Sequence, residues 1–124
     1  MYKMVALLKR KSGMSMQEFI DYYETRHAAL ARELLPELRD YRRNYVMHVG
    51  PRSSAAGPDF DVITEMYFDD AAAAQAMYDR LQNDPVLARR MQEDEAALFD
   101  CSRFVILALD ERVSPPRQPD LPPR

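Results

Sequence analysis

Two short apolar runs near opposite ends of the chain, residues 5–8 (Val-Ala-Leu-Leu) and residues 105–109 (Val-Ile-Leu-Ala-Leu), restrict its fold more than any other feature. Each is apolar at consecutive positions and too short to span a bilayer, whereas a strand wetted on one face alternates apolar with polar side chains. Both therefore read as strands buried on two faces. A chain of 124 residues, nearly half of them apolar, builds one modest core, so both strands belong to one sheet of one domain.

The segments between them follow in a definite order. Residues 2–8 form a strand that ends in the basic, glycine-containing turn 9–13. Ser15 and Glu18 then stand at capping-box spacing: the serine hydroxyl accepts from the third helical amide while the glutamate reaches back to the cap's own amide. In the helix that follows, Phe19, Tyr23, His27, Leu30 and Leu34 recur at three- and four-residue steps on one inward face, until Pro36 stops it. Residues 38–49 switch to a period of two, placing Tyr41, Arg43, Tyr45 and Met47 on one side and Arg42, Asn44, Val46 and His48 on the other.

Residues 50–59 are a Pro/Gly/Ser loop, and 60–68 form a third strand with Asp61, Ile63, Glu65 and Tyr67 on one face and Phe60, Val62, Thr64 and Met66 on the other. Asp69 and Asp70 cap an alanine-rich helix bearing Ala74, Met77, Tyr78 and Leu81; Asn83-Asp84-Pro85 ends it and starts another that runs to about Phe99. Residues 102–109 are the fourth strand. Residues 114–124 hold five of the nine prolines, which predicts an extended tail at 113–124 beyond a domain at 1–112.

The order strand, helix, strand, strand, helix, strand is satisfied by an α+β, ferredoxin-like βαββαβ fold: a four-stranded antiparallel sheet with both right-handed crossovers on one face. The other face is left bare, although residues 5–8 and 105–109 read as covered on both sides. A second copy of the same sheet is the simplest cover, which predicts a homodimer through the sheet face, a dimeric α/β barrel.

Composition excludes several function classes. The formal charge of -3 comes from interspersed acids and bases, so no face is built to neutralise a phosphate backbone, and nucleic acid is not an expected partner. One cysteine, Cys101, forbids an internal disulfide and supplies no structural zinc set; it reads as a small buried hydrophobe. The short N-terminal run is neither a span nor a signal peptide, so a reducing, cytoplasmic setting without membrane association is expected. A glycine-rich phosphate cradle, a serine nucleophile elbow and a paired cysteine nucleophile are all missing from the sequence.

A likeness to a known family rests on particular stretches. VALLKRKSGMSMQEFIDYYETRHAAL, followed by LRDYRRNYV, resembles the N-terminal half of EthD-domain proteins: a strand, a basic turn, and a helix with an F-x-x-Y-[WY]-x-x-x-H-x-x-L pattern, here Phe19, Tyr22, Tyr23, His27 and Leu30. FDVITEMYFDD resembles the family's third strand and EDEAALFDCSRFVILALDE its final helix and strand, so the likeness covers roughly residues 2–111. It departs in having Tyr23 where many relatives carry tryptophan, and Ala28-Ala29 in place of an Ala-Pro, which leaves the helix free to continue. The resemblance implies the dimeric α/β-barrel architecture. It does not choose a chemistry, because that superfamily hosts cyclases, isomerases, decarboxylases, dehydratases and haem-degrading oxygenases.

Candidate site residues follow from side-chain chemistry. His27, an inward imidazole, can take or give a proton near neutral pH. Tyr41, Asn44 and Asp61 are candidates to orient it or to stabilise an enolate-like oxygen. Phe19, Tyr23, Leu30, His48, Phe60, Glu65, Met77 and Glu95 are candidate substrate contacts, the methionines suiting an adaptable apolar cavity. Asp94 and Glu95 also read as a solvated acidic patch, while the resemblance of EDEAALFD to the family's final helix implies that one of them serves as a pocket carboxylate. His27, His48 and a carboxylate are metal-ligand types without metal-ligand spacing, so no metal is expected. The reading reached is a cofactor-independent enzyme of lyase, dehydratase, decarboxylase, isomerase or cyclase type, acting on a hydrophobic, oxygenated, aromatic or polyketide-like molecule. The resemblance implies two rivals: a non-catalytic protein that binds a hydrophobic ligand or supports an oxygenase, and a haem-handling protein with His27 as axial ligand.

Overall fold

The computed structural model describes residues 1–54 and 57–120. Strand β1 spans Tyr2–Leu8, β2 Asp40–Tyr45, β3 Val62–Phe68 and β4 Val105–Leu109. They form one antiparallel sheet in the order β2-β3-β1-β4, in which the two consecutive-apolar strands are neighbours. The α+β, ferredoxin-like class is thereby established. β2 is shorter than its alternating pattern: Val46 still donates to the Asp61 carbonyl at 2.9 Å, but Met47 and His48 leave the sheet for the loop.

Helices α1 (Met16–Tyr22) and α2 (Ala28–Leu34) are joined without a break by a π-helical turn at Tyr23–His27, where the Ala28 amide reaches back to the Tyr23 carbonyl. The alternation rules for an ordinary α-helix do not foresee this wider turn. The Ser15 capping box forms with both reciprocal bonds, 3.1 Å to the Glu18 amide and 3.0 Å from the Ser15 amide to the Glu18 carboxylate. Helix α3 (Ala71–Asn83) is capped by Asp70, and α4 (Pro85–Leu98) by Asp84 with proline in its first turn. A 3-10 turn at Cys101–Arg103 leads into β4, which starts later than the 102–109 reading.

All helices lie on one face of the sheet. Met4, Ala6 and Leu8 of β1 and Val62, Thr64 and Phe68 of β3 point into that layer, against Phe19, Tyr23 and Ala28 at one end and Ala31, Leu35, Met77 and Met91 at the other. Phe19, Phe68 and Leu98 are sealed from solvent, each burial worth about 1.5–3 kcal/mol.

By register, the opposite face carries Val5 and Leu7 of β1, Ile63, Glu65 and Tyr67 of β3, Arg42 and Asn44 of β2, and Val105, Leu107 and Leu109 of β4. No element of the described residues covers it, and Val105, Leu107 and Leu109 are 45%, 42% and 40% exposed. As an edge strand, β4 is exposed at every position in the single chain, Ile106 on the helix side at 46% included, contrary to the reading of residues 105–109 as buried on both faces. At one end of this face Lys3 is held at 2.6 Å from both Glu65 and Glu111, which raise its pKa above the usual lysine value. Cys101 is exposed, contrary to the buried-hydrophobe reading, because the 3-10 turn carries it out of β4 to the surface. From Asp110 to Asp120 the chain has no regular structure and is exposed. Residues 121–124 of the expected tail, and residues 55 and 56 of the 50–59 loop, lie outside the described residues.

Candidate active site

The helical layer does not close completely on the sheet. Between them lies a mainly apolar cavity of about 140 Å³, lined by His27, Tyr23, Tyr41, Thr64, Met77, Glu95 and Phe99 among others. An apolar cavity of about 150 Å³ takes up benzene, so this one fits a single ring or a short branched chain.

The π turn places Tyr23 and His27 on the cavity side. A turn wider than 3.6 residues brings side chains four apart into closer alignment, and the two rings meet edge to face with centroids 5.3 Å apart. Phe99 meets the imidazole in the same manner at 5.3 Å. The imidazole is thus wedged between two aromatic edges and 5% exposed, while its Nδ1 lies 2.7 Å from Oδ2 of Asp94 on α4. The Tyr22 hydroxyl donates to the other oxygen of Asp94 at 2.6 Å. With both oxygens engaged, Asp94 accepts Nδ1–H, which leaves Nε2 with the lone pair.

Among the described residues Nε2 has no hydrogen-bond partner, and none of their buried polar atoms is both sealed and unpartnered, so Nε2 is not sealed off, and His27 lines the cavity. Burial lowers the pKa of His27 and the Asp94 contact opposes that drop without cancelling it. At neutral pH the ring is a neutral base.

Glu95, one residue beyond Asp94, faces the same cavity without a hydrogen-bond partner among the described residues. Desolvation, and then the neighbouring Asp94, push its pKa up to about 7. A third group is a chain of hydroxyls. Thr64 Oγ1 is 2.7 Å from the Tyr23 hydroxyl, which is 3.0 Å from that of Tyr41. Burial raises the pKa of both phenols, and they remain protonated donors.

The sequence-predicted candidates divide clearly. His27, Tyr23, Tyr41, Met77 and Glu95 meet at this cavity. Phe19 lies beneath it, packed on Tyr23, and Leu30 packs in the other half of the core. Asn44 and Glu65 are on the opposite face of the sheet, where the amide donates to the Glu65 carboxylate at 2.9 Å. Asp61 accepts the Arg10 amide at 2.8 Å and braces the turn after β1, away from His27. His48 and Phe60 line a separate hollow beside the 50–59 loop. The patch reading of Asp94 missed it as the partner of His27. Its spacing carried the signal, since position 94 is three after Met91 and four before Leu98, on the stripe that buries α4.

No cluster of three or more histidine, cysteine or carboxylate side chains with metal-binding geometry occurs among the described residues. A haem reading fits poorly, because a porphyrin macrocycle exceeds a hollow of about 140 Å³. No helix is long and apolar enough to cross a membrane.

The sequence profile of the EthD domain matches residues 11–102, most of the chain, and the protein belongs to the EthD-domain family. An EthD-family protein from Bacillus halodurans C-125 superposes with a TM-score of 0.64 at 23% identity, over 90% of this chain and 99% of that one. A hydroxynitrile lyase from Passiflora edulis superposes at 0.60 and 16% identity, over 91% and 96%. A dimeric ferredoxin-like protein from Jannaschia sp. CCS1 does so at 0.54 and 17%, over 89% and 98%. Such likenesses show the fold. No curated protein sequence matches the chain.

Proposed function

We propose that this protein is a cofactor-independent acid–base enzyme of lyase or isomerase class acting on a hydrophobic, oxygenated small molecule. The observation that carries the reading is the pairing, at one apolar cavity, of a buried imidazole braced by Asp94 with an unpartnered carboxyl, Glu95, that titrates near neutrality. Two groups with opposite proton habits face one space. His27 Nε2 removes a proton from carbon beside a carbonyl, or from a hydroxyl. Glu95 delivers a proton to the leaving group or to the opposite end of the rearranging system. The Thr64, Tyr23 and Tyr41 hydroxyls are linked at 2.7 and 3.0 Å, and with Thr64 donating to Tyr23 and Tyr23 to Tyr41 the Tyr41 proton is free to be donated to the developing oxyanion.

The cavity wall selects the substrate by exclusion. Apart from these groups it is mostly aliphatic and aromatic, so the group it takes is apolar and about the size of one ring, with larger portions left to extend outward. We also read the exposed sheet face as the contact between two copies. Support comes from its row of Val105, Leu107 and Leu109 and from the dimers described for similar ferredoxin-like proteins.

The test is proton exchange in D2O, followed by NMR, at the α-carbons of small aryl and alkyl ketones, with cyanohydrin cleavage as a further assay. The protein is expected to accelerate at least one reaction over buffer, and His27→Gln to abolish the acceleration while keeping the wild-type circular dichroism. Turnover that survives in a folded His27→Gln variant rejects the assignment.

A further inference from the structure

The cavity has a charged neighbour that the proposed mechanism leaves unused. Beside it, a second hollow of about 460 Å³ lies against the C-terminal end of α2 and the start of β2, with Arg32, Arg39 and Arg43 in its wall. Leu35, Leu38 and Tyr41 line both hollows, so the two share a wall at the Tyr41 hydroxyl's own residue.

The charges around this second hollow do not balance. Arg39 is held by Asp69 through two bonds of 2.9 Å. Arg43 is held by Glu24 at 2.9 and 2.7 Å, and Asp40, the acid in the wall, is taken by Arg42 at 2.9 and 2.6 Å. Arg32 alone of these has no ion pair or hydrogen bond among the described residues. The carbonyl end of α2, whose partial negative charge would repel an anion, is covered by Arg80, which donates to the Leu34 carbonyl at 2.8 Å and pairs with Glu37. What remains is one uncompensated, exposed guanidinium in the wall of a hollow that adjoins the apolar cavity across Leu35, Leu38 and Tyr41.

We infer that the two adjoining hollows serve as one site, the second as its mouth, and that the substrate is an amphipathic carboxylate, its apolar end in the cavity beside His27 and its carboxylate at that mouth on Arg32. This rests on the proposed catalytic reading and names its substrate class. A planar fork of N–H donors matches a carboxylate, and a mouth charge orients a ligand whose apolar end has little directionality of its own. Arg32 would be a specificity-determining residue, and the ligand's orientation, not its burial, would depend on it.

The experiment is calorimetric titration of the full chain with phenylalkanoates of two to four chain carbons, each against the matching phenylalkanol. At the best-fitting length the carboxylate is expected to bind about fivefold or more tightly than the alcohol, the scale of a partly exposed charge pair. Arg32→Gln should remove most of that preference while leaving alcohol affinity unchanged, Arg32→Lys should restore part of it, and Arg89→Gln, which deletes an exposed charge elsewhere, should do nothing. Equal binding of acid and alcohol, a preference that survives Arg32→Gln, or no binding of either series overturns the inference. Alcohol binding without preference removes the Arg32 mouth and leaves the His27 assignment standing. A preference lost in Arg32→Gln, in a protein whose proton exchange is indifferent to His27→Gln, keeps the mouth and removes the catalysis.

Discussion

Asp94 Oδ2 lies 2.7 Å from His27 Nδ1, joining α4 to the π turn across 67 residues of sequence. The contact fixes which ring nitrogen holds the proton. An acceptor at Nδ1 keeps the hydrogen there and leaves the lone pair on Nε2. Asp94→Asn keeps the shape but allows the amide to turn its NH2 toward the ring, favouring the other tautomer. The variant is expected to lose about 10²–10⁴-fold in any His27-dependent rate while staying folded, within the usual worth of positioned acid–base catalysis. Nitrogen-15 NMR of the ring checks the cause directly, since the proton should move from Nδ1 to Nε2. With only His27 and His48 in the chain, a His48→Gln background isolates the signal. An unchanged tautomer in Asp94→Asn would refute the account.

The pH dependence of turnover follows from two groups shifted in opposite directions. The proposed catalysis requires neutral His27, whose pKa lies below its usual 6.5, and protonated Glu95, whose pKa is about 7. The rate should therefore fall on the acid side as His27 takes up a proton, and on the alkaline side above about 7 as Glu95 loses one, giving a narrow bell. Glu95→Gln is expected to lower the plateau and to remove the alkaline limb. A limb that persists unchanged in that variant would assign it to another group.

Glu95 also makes a stability prediction that needs no substrate. Its folded pKa of about 7 lies above its ordinary value of 4.5, so the folded chain binds the proton more tightly than the unfolded chain does. The stability gained from that proton is complete below the unfolded value and disappears as pH rises through the folded one. Glutamine imitates the protonated acid. Glu95→Gln should thus match the wild type near pH 4 and exceed it at pH 8 by roughly 1–3 kcal/mol, after allowance for the partial exposure of the carboxyl. Urea unfolding at the two pH values measures it, and equal differences at both would show that Glu95 is not desolvated.

Local rules made part of this architecture legible and concealed the rest. Segment order and the consecutive-apolar strands were enough for the sheet, although only β1 is buried as its pattern implies and β4, at the sheet edge, is exposed along its length in the single chain. His27 was legible as inward from its three- and four-residue spacing to Phe19, Tyr23 and Leu30. The π turn was not, because side-chain spacing carries no record of a backbone hydrogen bond moved by one residue. Alternation already separated Asn44 from Tyr41, and Glu65 from Thr64. Grouping Asn44 with Tyr41 set aside the period of two that β2 obeys. The pairing of Asp94 with His27 joins two distant helices, and only the tertiary fold supplies that proximity.

The exposed sheet face supplies the last prediction. Leu107 stands opposite Val5 near the middle of β1 and β4, with Val105 and Leu109 on the same face. If two copies bury this face, a carboxylate at 107 enters an apolar interface with no partner, and removing such a charge from water costs several kcal/mol. Since each 1.4 kcal/mol is a tenfold change, Leu107→Glu should weaken self-association by about a hundredfold or more. The monomer should keep its fold, because Leu107 is already 42% exposed in the single chain. Sedimentation at micromolar concentration is expected to show the wild type at twice the 14.4 kDa chain mass and Leu107→Glu at the chain mass. A wild type that sediments as one chain would mean that this face meets water, and that the burial implied by residues 105–109 has another cause.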